Sequence, residues 1–306
     1  MDNPIFRQSS ILFLMMAVGF YANKRRILTN DLAKGLTEFI LNITAPLLTI
    51  ASFHFNFSPK LLQNIGIVFG GSVVIHTLAF FLSKFLFTRF PQNEKKVLQF
   101  SAVFSNCGFM GFPILVSIYG KIGILYGSVY VVPFTIFLWT VGVMICSGPR
   151  PQGPKNSDFP RRIIFNPGIM SVFIGLALFV FSVKLPTPLN QAIELTGAMT
   201  TPLAMTVIGS MLAGLKFKEV FSGFSVYYGA IIRLLIMPVI GLGVLKLLGM
   251  TGILLEVCVI LTAMPVAANT VIFTEKYNGA SAFASRLVFV STLFSMLTIP
   301  VFLLLI

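Results

Sequence analysis

Apolar stretches of 18 residues or more recur along the whole of this chain, each long enough to cross a ~30 Å hydrocarbon layer as an α-helix. Hydrophobic residues make up 56% of the sequence and charged residues 10%, so its surface cannot face water, and no stretch is left for a soluble domain. Hydropathy and loop signals place ten spans, at about 5 to 22, 36 to 54, 62 to 87, 96 to 119, 122 to 146, 167 to 184, 190 to 214, 221 to 246, 252 to 274 and 280 to 305.

The net charge of +13 would point to nucleic acid in a soluble protein, but here the lysines and arginines stand mainly between the apolar runs, as membrane orientation requires. Loops after the odd-numbered spans hold fifteen of them and the opposite loops five, with Arg233 and Arg286 inside spans. By the positive-inside rule both termini lie outside, and the longest loop, Ser147 to Arg162, is cytoplasmic. The first run, Ile11 to Tyr21, is followed rather than preceded by Lys24-Arg25-Arg26, which reads as a retained helix and not a cleaved signal. Cys107, Cys146 and Cys258 sit in apolar surroundings without metal-ligand spacing and read as packing residues; no metal or cofactor is expected.

The Pro- and Gly-rich central loop divides the chain into residues 1–146, a linker 147–165, and residues 166–306, five spans on each side. An odd number of spans per half forces opposite orientations. Asn3-Pro4 opens the first half and Asn166-Pro167 the second, while Glu38 precedes Pro46 as Glu194 precedes Pro202, eight residues apart in each case. The expected fold is therefore all-α, ten transmembrane helices as an inverted repeat, which is a transporter architecture.

Two spans carry interruptions at corresponding depth. The fourth contains Ser105-Asn106-Cys107-Gly108-Phe109-Met110-Gly111-Phe112-Pro113, where two glycines and a proline weaken the helix; a break is expected around Gly111 to Pro113. The ninth contains Ala263-Met264-Pro265-Val266-Ala267-Ala268-Asn269-Thr270, with a break expected at Met264 to Ala267. Opened backbone survives in a membrane only against protein or a water-filled cavity, and half-helix N-termini aimed at such a cavity suit a carboxylate. The plain alternative is that these residues merely kink packed spans.

NITAPLLTIASF in the second span, SNCGFMGFPILVSIYG in the fourth and MPVAANTVIF in the ninth resemble signature regions of the auxin efflux carrier family, and the resemblance covers essentially the whole chain. It implies a scaffold domain and a crossing-helix transport domain, an elevator-type displacement, and outward transport of an organic anion such as a dicarboxylate or an auxin-like acid. Carried over by motif, Asn106, Pro113, Pro265 and Asn269 surround the crossover, with Ser52 nearby and Ser105, Thr270 and Tyr130 as further substrate-binding candidates. Cys107 stands where that family commonly has a hydroxyl residue, which removes a polar contact.

Other intramembrane polar residues have two readings each. Arg233, deep in the eighth span, either serves an anion or gate or has a structural partner. Arg286, near the cytoplasmic end, can snorkel. Glu38 and Glu194, read as lying in the first turns of their spans, suit the helix dipole or a coupling role, and Glu256 lies near the outer end of its span. His76 is either a proton relay or a packed, hydrogen-bonded histidine. Tyr130, like Tyr126, fits the membrane interface as readily as a substrate. Proton and sodium are the candidate coupling ions, and a homodimer is compatible with the fold. The alternative class is a membrane-embedded sensor or channel, but neither a filter loop nor a signalling domain is visible; HExxH, phosphate-loop and Ser/His/acid patterns of enzymes are absent as well.

Overall fold

The computed structural model describes residues 4–55, 57–147, 165–213, 222–277 and 279–305. The expected linker between the halves lies almost wholly outside them, as do Asn3 and the basic residues Lys216 and Lys218. In chain order the helices are α1 (Pro4–Lys24), α2 (Asn30–Phe39), α3 (Ala45–Ser52), α4 (Pro59–Leu86), α5 (Gln92–Val103), α6 (Phe112–Phe137) and α7 (Val143–Ser147). There follow α8 (Pro167–Val180), α9 (Thr187–Ala198), α10 (Thr200–Ala213), α11 (Phe224–Ile231), α12 (Met237–Leu247), α13 (Gly252–Ala263), α14 (Asn269–Lys276) and α15 (Ser281–Leu305). Among the described residues five helical runs are long and apolar enough to cross a membrane, Pro59–Leu86, Phe224–Leu247 and Ser281–Leu305 among them, and shorter apolar helices accompany them. Among the described residues the regular structure is all helical, that of a multi-span membrane protein.

Local chemistry sets the helix starts. Thr29 Oγ1 accepts from Leu32 N–H to cap α2, and Asn166 Oδ1 accepts from Gly168 and Ile169 N–H to cap α8, with Pro167 at the first position, where a missing donor costs nothing. Because α2 begins at Asn30, Glu38 lies in its last turn, and Glu194 lies well inside α9; the expected first-turn placement of both carboxylates is corrected by these earlier starts.

Three prolines inside the apolar runs do not break them. Pro46, Pro113 and Pro238 each stand second in an α-helix that directly follows a π-turn, at Ile40–Thr44, Cys107–Gly111 and Ile232–Ile236. The proline ring crowds the carbonyl four residues back and offers it no N–H, and widening the preceding turn absorbs that defect. The break expected at Gly111 to Pro113 is thus absent, and those residues are helical.

The run from Phe112 to Phe137 is two arms. Gly120 adopts φ 59°, ψ −141°, a conformation that side chains disfavour. Beyond it Gly127 comes within contact of Leu115 and Phe112, although a straight helix would separate residues 112 and 127 by ~22 Å. The arms therefore fold back on one another.

By contacts the chain forms two compact units. The first comprises residues 1–67, 108–132 and 164–215, the second 68–107, 133–163 and 216–306. In the first, α1 runs along α10 so closely that a Cβ on Gly19 would run into the Thr206 carbonyl oxygen and one on Gly209 into that of Met16. Asn23 Nδ2 fastens this crossing by donating to Ser210 Oγ at 3.0 Å, and α3 packs on α8 and α9. The second unit gathers α5, α7 and α11–α15 about an aromatic core that includes Phe100, Phe104, Phe134 and Phe273.

Candidate functional site

Within the second unit two helices stop in buried surroundings and their chains run extended past one another. α13 ends at Ala263 because Pro265 excludes helical geometry from the residue before it, and Met264 is extended at φ −62°, ψ 148°. α5 ends at Val103 with no proline at hand. Phe104 is extended at φ −109°, ψ 112°, and Ser105 and Asn106 follow, short polar residues that compete with helical hydrogen bonding. Ser105 pairs antiparallel with Val266. Asn106 N–H donates to the Pro265 carbonyl at 2.8 Å and Ala267 N–H to that of Phe104 at 3.1 Å. Val266 N–H is taken up by Ser291 Oγ of α15 at 3.2 Å. Protein thus supplies the partners that lipid would not.

Four helix ends meet here: the C-termini of α5 and α13, and the N-termini of the turn restarting at Cys107 and of α14. The C-terminal carbonyls carry partial negative charge and lack helical partners. Arg233, 2% exposed in the π-turn between α11 and α12, addresses them: Nε donates to Met264 O at 3.1 Å, Nη1 to Ala102 O at 2.8 Å, and Nη2 to Thr262 O.

The N-terminal side is differently furnished. Asn106 is buried and Asn269 is the half-buried first residue of α14, and among the described residues neither side-chain amide makes a hydrogen bond. Thr270 is fully buried and its hydroxyl has no hydrogen-bond partner there. An unpartnered buried hydroxyl such as that of Thr270 is unusual enough to need a reason. Ser105, Asn106, Pro265, Asn269 and Thr270 therefore come together around the paired breaks.

Other expected site residues do not join them. Ser52, Pro113 and Tyr130 belong to the first unit, where Ser52 Oγ donates to Thr49 O at 2.6 Å, Pro113 sits in the opening turn of α6, and Tyr130 is buried. His76 is a packed histidine in the second unit, its Nδ1 2.7 Å from the Ser72 carbonyl and its ring against Phe134 and Phe137. Arg286 bonds Ser222 through both carbonyl and hydroxyl oxygen, and Glu256 lies half-buried in the second turn of α13. Glu38 is exposed, and Glu194 forms a surface ion pair with Lys121 at 2.6 Å. All three cysteines are buried and none is in a disulfide.

A cavity of about 510 Å³ lies in the first unit, bordered by Phe53, His54, Lys184 and Asn190. Its lining residues His54 and Lys184 are exposed, so water competes there for any anion. The paired breaks are the more selective chemistry. Ser291 and the carbonyl of Ala102 were not expected at the site; the polar pair Ser291-Thr292 inside the apolar stretch Leu287 to Phe294 was the available signal for the first, and nothing local marks the second.

A family model described as "Membrane transport protein" matches residues 4–303. An uncharacterized transporter of Methanocaldococcus jannaschii is 24% identical over 304 residues, covering 94% of each chain. A Rhizobium meliloti protein named "Putative malonate transporter" is 26% identical over 238 residues, 75% of this chain and 72% of its own. An uncharacterized transporter of Escherichia coli is 24% identical over 306 residues, covering 94% of this chain and 93% of its own.

Proposed function

Because the chain belongs to the auxin efflux carrier-like family of membrane transport proteins, we propose that it is a secondary carrier of a small organic anion, loaded at the paired helix breaks of the second unit. The carrying observation is the cluster of uncommitted polar groups, the amides of Asn106 and Asn269 and the hydroxyl of Thr270, beside two half-helix N-termini. N–H groups there carry partial positive charge and the amides can donate, a set that suits a carboxylate. A short dicarboxylate such as malonate, the compound in the Rhizobium relative's name, is the class to test first.

Ten spans as an inverted repeat fit the same reading. The fold-back at Gly120 separates two spans within one helical run, and α5 and α13 are both 12 residues long. Exchanging residues 161 apart carries Asn106→Pro265 onto Ala267→Phe104, so the two backbone hydrogen bonds of the breaks interchange. In the first unit, exchanging residues 156 apart carries the contact of Gly175 with Phe53 onto the α1 and α10 crossing at Gly19 and Gly209. Such swaps are what a pseudo-two-fold axis in the membrane plane produces. Transport outward by an elevator-type displacement of the unit holding the breaks completes the proposal.

Uptake into proteoliposomes of labelled malonate, malate and an aromatic acetate, with proton, sodium and voltage gradients imposed separately, tests it. Saturable uptake of one of them, inhibited by the unlabelled compound, is expected; folded protein that moves no carboxylate under any gradient overturns the reading.

A further inference from the structure

Arg233 does more than fill a polar gap. Its guanidinium keeps its charge at any physiological pH, and it is directed at the carbonyls of Ala102, Thr262 and Met264, the C-terminal ends of both broken helices at once. Each such end carries roughly −0.5 of a charge, so two together balance one cation, while the two N-terminal ends, roughly +0.5 each, remain for an anion. In transporters with discontinuous helices, opened carbonyls and half-helix C-termini are the ligands of a coupling sodium ion. Here a side chain of the protein already addresses them. The cavity beside Arg233 and Thr262 measures about 10 Å³, room for a water and not for a sodium ion with its shell or a substrate carboxylate.

We infer that Arg233 is a resident cation: it occupies the carbonyl cluster that a coupling sodium ion would otherwise hold, so the anion site forms without sodium. Arg233 is thus a positioning residue, holding both breaks in register so that Asn106, Asn269 and Thr270 face one space. This rests on the carrier reading for the meaning of the site, but the state of the carbonyl cluster can be read without any substrate.

The experiment compares purified wild type, Arg233→Ala and Arg233→Lys in detergent, with sodium chloride or choline chloride at equal ionic strength, by thermal unfolding. Wild type and Arg233→Lys should melt at the same temperature in both salts. Arg233→Ala should melt lower in choline and recover by about 3–6 °C when sodium reaches roughly ten times its Kd, since the vacated carbonyls then take the ion. A merely structural arginine would give a low melting temperature indifferent to the salt. Sodium-specific stabilisation of wild type overturns the inference, as does a folded Arg233→Ala without sodium response. If Arg233→Ala does not fold, the sodium responses of wild type and Arg233→Lys decide. Malonate uptake by the same proteins separates the two levels: uptake absent with the melting pattern intact removes the carrier reading and keeps the resident cation.

Discussion

Truncating Asn106 or Asn269 to alanine removes an amide that, among the described residues, bonds to nothing else. Folding should hardly register the loss, whereas a hydrogen bond to a charged ligand is worth ~1.5–3 kcal/mol, so substrate affinity should fall by roughly 10- to 100-fold. Isothermal titration or transport KM, set against the melting temperature of each variant, measures the two effects separately. Wild-type affinity in both variants would leave only the opened backbone to bind the anion. Thr270→Val should behave likewise with a smaller loss of affinity and unchanged or higher stability, since an isosteric methyl replaces an unpartnered buried hydroxyl. At this scale the sequence was informative where a residue type is costly in lipid. An amide or guanidinium in an apolar run announces itself, but its partner does not: the carbonyl of Ala102 is 131 residues from Arg233 and belongs to no side chain.

Among the elements, the ninth-span break was legible because Pro265 acts on its own neighbour through local sterics. The fourth-span break was misplaced because local sterics there point to Pro113, which a π-turn absorbs, while the actual interruption at Phe104 to Asn106 is sustained by Pro265 and Ala267, far along the chain, and by Arg233. Spans could be counted from hydropathy, and the gap between the fourth and fifth, at residues 120 and 121, coincides with the fold-back at Gly120, whereas the place of Glu38 depends on where its helix starts, which apolar patterning leaves open by several residues. The tightest element contact, α1 on α10, yields a direct test. Gly209→Ala places a methyl against the Met16 carbonyl with only backbone to yield, so it should destabilise the protein by about 1–3 kcal/mol. Gly66→Ala, where a Cβ meets nothing within 4 Å, should leave the melting temperature unchanged or slightly raised. Equal melting of the two variants would mean that the close crossing of α1 and α10 does not exist in detergent.

For the whole molecule, the distribution of lysine and arginine predicts orientation. A cysteine introduced at Asn156 should be modified only from the cytoplasmic side and one at Lys184 only from outside, with little background because the three native thiols are buried. Labelling of Asn156→Cys from outside alone would invert the topology. In the proposed cycle, with Arg233 fixed at helix breaks that move, membrane potential acts on one half more than on the other. An empty carrier would return with one positive charge, a monoanion-loaded carrier would cross neutral, and a dianion-loaded one would cross with a single negative charge. A 100 mV inside-negative potential acts on one charge with ~2.3 kcal/mol over the full field. For a monovalent acid it leaves export itself untouched and draws the empty carrier back inward, so the resting voltage alone would keep such a carrier exporting without a second ion.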